Sequence, residues 1–268
     1  MRDGKGDSVK RYLAAALACA SLALAIGTPS VARGDKPSPM RFEWRLEGPV
    51  EQCSAHCRTW ISATGVITEE TARAFEAFAR SNDVRGAKLV LDSEGGSVLS
   101  AMALGRAIRT FDMTTTVGRT TLLPSDGSDT PRATISPNAS CESMCAFILL
   151  AGTRRYVPGD ARVLVHQIWL GAKSKRARET SYTADELQLV QRDVGRLVRY
   201  TAEMGGSMEL IETALRVPPW EPMHRLDVDE LRRMKITTVD HLFEQDAPAP
   251  AVAATIPNTI STSAQGQR

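Results

Sequence analysis

The stretch Ala87-Lys-Leu-Val-Leu-Asp92-Ser93-Glu94-Gly95-Gly96-Ser97-Val98 decides the fold class of this chain. Ala87–Leu91 is mostly apolar and of strand length, as expected of a parallel strand covered on both faces. A diglycine turn follows. Val98–Arg109 then reads as a helix that buries Ala101, Leu104, Gly105 and Ile108 at helical spacing. The short β-branched run Thr114–Val117 is the next strand. Upstream, Phe42–Leu46 and Thr59–Ala63 read as strands, and Thr68-Glu69-Glu70 opens a helix with Phe75, Phe78 and Ala79 as its buried stripe. Strands alternating with helices at this spacing imply an α/β fold with right-handed crossovers.

Downstream, residues 119–140 carry Pro124, Gly127, Pro131 and Pro137. This segment is too long for a plain connector and reads as a lid or surface flap. Cys141–Ala151 reads as a mostly apolar helix, and Val163–Val165 as a buried strand ending at His166. The capping box Thr183-Ala-Asp-Glu186 starts a long amphipathic helix to about Met204, with Leu187, Val190, Val194, Leu197 and Val198 as its stripe.

The chain has 268 residues, 43% of them hydrophobic and 24% charged, enough for one core of ordinary size and too apolar for wholesale disorder. Without residues 1–32 it holds 29 basic and 29 acidic residues, so charge supplies no reason to propose nucleic acid or anionic membrane as a partner. Those first residues read as a secretion signal. A basic stretch ending Lys10-Arg11 precedes an apolar run from Tyr12 to Ile26, and Thr28-Pro-Ser-Val-Ala32 supplies small residues for cleavage after Ala32. An uncleaved anchor is the alternative, although the run is short for a span of ~20 residues. Residues 33–40 read as a linker, 41–245 as the folded domain and 246–268 as a disordered tail. Export to the periplasm or beyond makes disulfides the default for Cys53, Cys57, Cys141 and Cys145, with the pairing open. Zinc at Cys53-x3-Cys57, which includes His56, is the rival, but no second His stands at finger spacing, so no metal is expected.

Three local features carry chemistry. The Gly95-Gly96 turn at a helix start lets backbone N–H groups approach a negative oxygen, although many such turns are only turns. Ser143, in Cys141-Glu-Ser-Met-Cys-Ala-Phe147, stands at a helix entrance that favours a nucleophilic oxygen; its bland alternative is an inert N-cap serine. His166 at a strand exit is placed to meet a neighbouring loop, or is simply a structural histidine. Trp169 lies near it in sequence, as pocket wall or as core. The basic run from Lys173 to Arg178 is a solvated loop or a contact for acidic groups.

Taken together, in this order, the three resemble the ClpP-type serine peptidases and their exported relatives. The matching elements are Trp60–Thr68, Asp92-Ser-Glu-Gly-Gly-Ser-Val98, Ser143-Met-Cys-Ala-Phe147, Ala151-Gly152 and Pro158-Gly-Asp-Ala-Arg162-Val-Leu-Val-His-Gln167, spread over residues 60 to 240. The resemblance implies a ClpP/crotonase-like spiral of ββα units with a long C-terminal helix. It implies a serine hydrolase in which Ser143 attacks a carbonyl and His166 is base, then acid. The N–H groups of Gly95, Gly96 and Met144 would form the oxyanion hole, and a peptide or protein substrate would lie extended against the Gly-rich turn. No cofactor is implied, and the fold leaves room for a homo-oligomer. Two departures stand out. Cys145 replaces the family's glycine, and the slot for the third triad member holds Ala214, which leaves Glu212, Asp227 or Asp229 as substitutes. Export away from ATP removes the family's ATPase partner, and export away from CoA argues against crotonase chemistry. A non-catalytic peptide-binding or scaffold protein on the same fold is the competing expectation.

Overall fold

The computed structural model describes residues 38–49, 57–127, 129–171 and 176–243. The expected signal peptide, most of the linker, Cys53, His56, Lys173 and Lys175, and the tail from 246 lie outside the described residues. The domain is mixed α/β. Its strands are β1 (Arg41–Glu47), β2 (Thr59–Thr64), β3 (Lys88–Asp92), β4 (Thr114–Val117), β5 (Arg119–Leu122), β6 (Arg132–Ser136), β7 (Ser140–Glu142), β8 (Arg154–Tyr156), β9 (Arg162–Val165) and β10 (His224–Arg225). Among the described residues six helices accompany them: α1 (Thr71–Ser81), α2 (Val98–Thr110), α3 (Met144–Ala151), α4 (Ala184–Glu203), α5 (Met208–Leu215) and α6 (Val228–Arg233). Among the described residues no helix is long and apolar enough to cross a membrane.

A seven-stranded sheet runs β5-β6-β1-β2-β3-β4-β8 and is mostly parallel, with antiparallel pairs only at β1–β2 and β5–β6. A three-stranded sheet, β10-β9-β7, stands beside it. The two are stitched where β3 ends: Ser93 N–H donates to Ser140 O (2.9 Å) and Glu142 N–H to Ser93 O (2.9 Å). That seam brings the β3 exit against the β7 exit.

The period-2 pleat splits β2 and β3 between two faces. Ile61, Ala63, Leu89 and Leu91 join the main core with α1, α2 and α3, while Trp60 and Val90 pack with Ala133 on the other face. Every residue of α3 is buried, as its unbroken apolar sequence requires. Its last carbonyls are capped by arginine: Arg109 Nε donates to Ala151 O (2.7 Å) and Arg155 Nη1 to Gly152 O (2.8 Å). The buried Tyr200 hydroxyl of α4 donates to Phe147 O (2.8 Å), docking the long helix on α3.

Several expectations need correction. Residues 38–40 are not linker: Pro39 bridges Val66, and Met40 is 3% exposed with its N–H on Val66 O. The first helix begins at Thr71, because the Thr71 hydroxyl accepts the Thr68 N–H and keeps residues 68–70 in a turn. Residues 119–140 are no lid. Within them Arg119–Leu122 and Arg132–Ser136 pair antiparallel as β5 and β6, β6 pairs in parallel with β1 at Leu46↔Arg132, extending the main sheet, and Ser140 begins β7. Cys141 belongs to strand β7, and the helix starts three residues later. Of the expected stripe of α4, Leu197 is buried and Val194 packs partly against the core, whereas Leu187 and Val198 are exposed.

Candidate functional site

The site grows from the seam between the two sheets. Ser93 anchors the diglycine turn by donating from its hydroxyl to Gly65 O (2.6 Å) and accepting the Gly95 N–H (3.2 Å). Gly95 has φ +84° and Gly96 φ +141°, backbone that L side chains rarely adopt. The turn also needs glycine for space. A Cβ at Gly95 would stand 2.5 Å from Glu142 O and 2.8 Å from Ser143 Cβ, and one at Gly96 would stand 2.1 Å from Ile67 O. Packing thus presses Gly95 against Ser143 and Gly96 against Ile67.

Ser143 occupies the sharp junction between β7 and α3, with φ 53° and ψ −120°. For a residue with a Cβ this conformation is costly, roughly 1–3 kcal/mol, and it persists only where neighbours impose it. One neighbour is β9, whose Leu164 O accepts the Ser143 N–H (2.8 Å). Ser143 sits at the N-cap position, yet its side chain makes no capping hydrogen bond. The inert-cap alternative therefore does not describe it. By contrast Ser97, at the start of α2, does cap, accepting the Ser100 N–H. Among the described residues the N–H groups of Gly96 and Met144 have no acceptor, while that of Gly95 is engaged by Ser93. Gly96 and Met144 line the same cleft as Ser143, and two free donors there can hold an oxyanion.

His166 follows β9, and its neighbour Gln167 ties the backbone to Val217 O (3.0 Å). Ser143 and His166 line one cleft of about 370 Å³, together with Glu94, Gly96, Met144 and Trp169. The other wall is apolar, formed by Val98, Ile168 and Pro219. Burial pushes the His166 imidazole below the ordinary histidine value, so the ring is neutral near pH 7 and able to accept a proton. Trp169 is held in place by its indole N–H on the Tyr182 hydroxyl (3.1 Å) and by edge-to-face packing on that ring.

The arrangement departs from a complete triad. Among the described residues no hydrogen bond joins Ser143 Oγ to the His166 ring, and no carboxylate or carbonyl holds that ring. The three carboxylates expected as third member are elsewhere. Glu212 is on α5 beside Arg216 (3.8 Å). Asp227 caps α6 by accepting the Glu230 N–H (2.8 Å) and lines a separate cleft of about 560 Å³. Asp229 is exposed in the first turn of α6. The α5 residue at the expected slot, Ala214, is 4% exposed and has no polar group to offer. The carboxylate that does line the Ser143–His166 cleft is Glu94, which sequence reasoning passed over; its place immediately before Gly95 was the available signal. Glu142, which lines a neighbouring cleft together with Glu94, has its carboxyl pushed above the ordinary value by burial and then by the charge of Glu94.

Of the four cysteines expected to pair, Cys141 and Cys145 form a disulfide with Cα atoms 5.1 Å apart. Cys57 is also disulfide-bonded.

No protein-family model matches the chain, and no curated protein matches its sequence. The reading of the site therefore rests on its own geometry and chemistry.

Proposed function

We propose that this chain is an exported, ATP-independent serine hydrolase, a peptidase, on a ClpP/crotonase-like fold, with Ser143 as nucleophile and His166 as general base. The observation that carries the reading is the left-handed backbone of Ser143. It presents an uncapped hydroxyl at a strand-to-helix elbow, in the same cleft as a neutral imidazole. Attack by Ser143 Oγ on a substrate carbonyl passes its proton to His166, and the developing oxyanion is met by the Gly96 and Met144 N–H groups. His166 then returns the proton to the leaving amine. With no carboxylate on the ring among the described residues, the pair works as a dyad, with the backbone of Gln167 fixing the strand exit. The apolar wall and the open Gly-rich edge suit an extended peptide. The buried disulfide at the elbow accords with an oxidising compartment.

The second reading is a non-catalytic peptide-binding module with the same groove. What favours it is the unheld His166 ring and the missing hydrogen bond to Ser143. A fluorophosphonate probe separates the two. The hydrolase reading expects one adduct per chain, mapped to Ser143 and absent in Ser143→Ala; folded, oxidised protein without an adduct supports the module.

A further inference from the structure

The Cys141–Cys145 disulfide closes a five-residue loop whose middle residue is Ser143. Cys141 lies on β7, opposite Val163 of β9 and bridged to Ser93 at the β3 exit. Cys145 is the second residue of α3, and both cysteines are fully buried. Within the loop, Glu142 N–H is held by Ser93 O and Ser143 N–H by Leu164 O. The first α3 hydrogen bond is Ala146 N–H to Ser143 O (3.1 Å). Between these anchors, Met144 and Cys145 donate no backbone hydrogen bond among the described residues. The covalent link is thus what ties the first turn of the nucleophile helix back to the strand before the elbow.

We propose that this disulfide is a positioning element for the nucleophile. It holds Ser143 in its left-handed conformation and the Met144 N–H beside it, so that the hydrolase is competent only in its oxidised form. The inference rests on the serine-hydrolase reading above. A dithiol reductant delivers two electrons and two protons to the S–S bond, giving two thiols, and itself closes to a cyclic disulfide. The loop then has no covalent closure, and Ser143 is free to return to ordinary backbone conformations.

The test uses the full chain carrying Cys53→Ser and Cys57→Ser, equilibrated in dithiothreitol redox buffers. The thiol fraction of the 141/145 pair is read by alkylation and mass, the rate of fluorophosphonate adduct formation at Ser143 in parallel, and folding by circular dichroism. The expected result is a labelling rate that falls at least tenfold in step with thiol formation, returns on reoxidation, and does so while the circular dichroism is unchanged. Equal labelling rates in the oxidised and the folded, reduced protein overturn the positioning role and leave the hydrolase standing. Absence of labelling in the oxidised protein overturns the hydrolase reading and this one with it. Should the reduced chain unfold, Cys141→Ala/Cys145→Ala, which places small apolar groups in the same buried space, is measured instead. The same tenfold loss is expected, and a wild-type rate overturns the proposal.

Discussion

Gly95 and Ser143 are in such close contact that a methyl group on the first would lie 2.8 Å from the Cβ of the second. This contact joins the diglycine turn of one sheet to the elbow of the other. Because Gly95 also has φ +84°, Gly95→Ala meets both a clash and a backbone penalty. The substitution is expected to lower unfolding free energy by about 1–3 kcal/mol, from backbone strain alone, and to slow Ser143 labelling in the protein that stays folded. Urea unfolding and labelling kinetics check the two effects. A variant with wild-type stability would mean that position 95 neither has the left-handed backbone nor lies against the elbow.

Glycine is needed at Gly95 for a contact; histidine is needed at position 166 for its protonation state. Burial lowers its pKa from the ordinary value of 6.5, so the folded protein resists a proton that the unfolded chain accepts. The resulting stability term is fully present above about pH 6.5 and is lost as pH falls from there to the folded value. The labelling rate should follow the neutral imidazole, rising with pH with a midpoint below the ordinary value of 6.5 and then levelling off. A pH series of rate constants gives the midpoint. One at or above 6.5 would mean that His166 is not the base or is not buried.

Two arginines cap α3, and they are not equivalent. Arg155 is 6% exposed, has an unpartnered Nε, and is lowered to about 10 by burial and then by Arg109. It shares its acceptors, Leu150 O and Gly152 O, with Arg109. Arg109 in addition holds Ala151 O and Met204 O, which have no other donor among the described residues. Arg109→Met is therefore expected to cost about 2–3 kcal/mol, as for charge-assisted bonds lost from buried carbonyls. Arg155→Met removes a buried cation whose acceptors keep a second donor, and should cost less than about 1 kcal/mol. Paired urea titrations give the order, and the reverse order would refute this account of the helix end.

The parts of this fold that could be read from sequence are those encoded by short-range signals. The apolar run of β3, the helical spacing of α2 and the Thr183–Glu186 capping box all stand where the residues predict them. What could not be read depends on distant partners. The β5–β6 hairpin hides behind Pro124, Gly127 and Pro131, and becomes sheet only because Leu46 offers an edge to Arg132. Cys141 has the composition of the helix that follows, and is strand because Val163 and Ser93 flank it. The same distinction applies at the site. Ser143, His166 and the diglycine were visible as local motifs, whereas the backbone angle of Ser143 depends on Leu164 O, a contact no local pattern announces. The carboxylates at 212, 227 and 229 were plausible by sequence distance alone; α5 and α6 turn them to other duties.

As a serine hydrolase this protein would use Ser143 and His166 together on one reacting carbonyl. The most direct measurement is the second-order rate constant for phosphonylation of Ser143 by a fluorophosphonate, with loss of fluoride, in the oxidised wild type and in His166→Ala, both verified as folded. General-base assistance is worth about 10²–10⁴-fold, so the account predicts a loss of at least 10². Equal rate constants in the two proteins would contradict it.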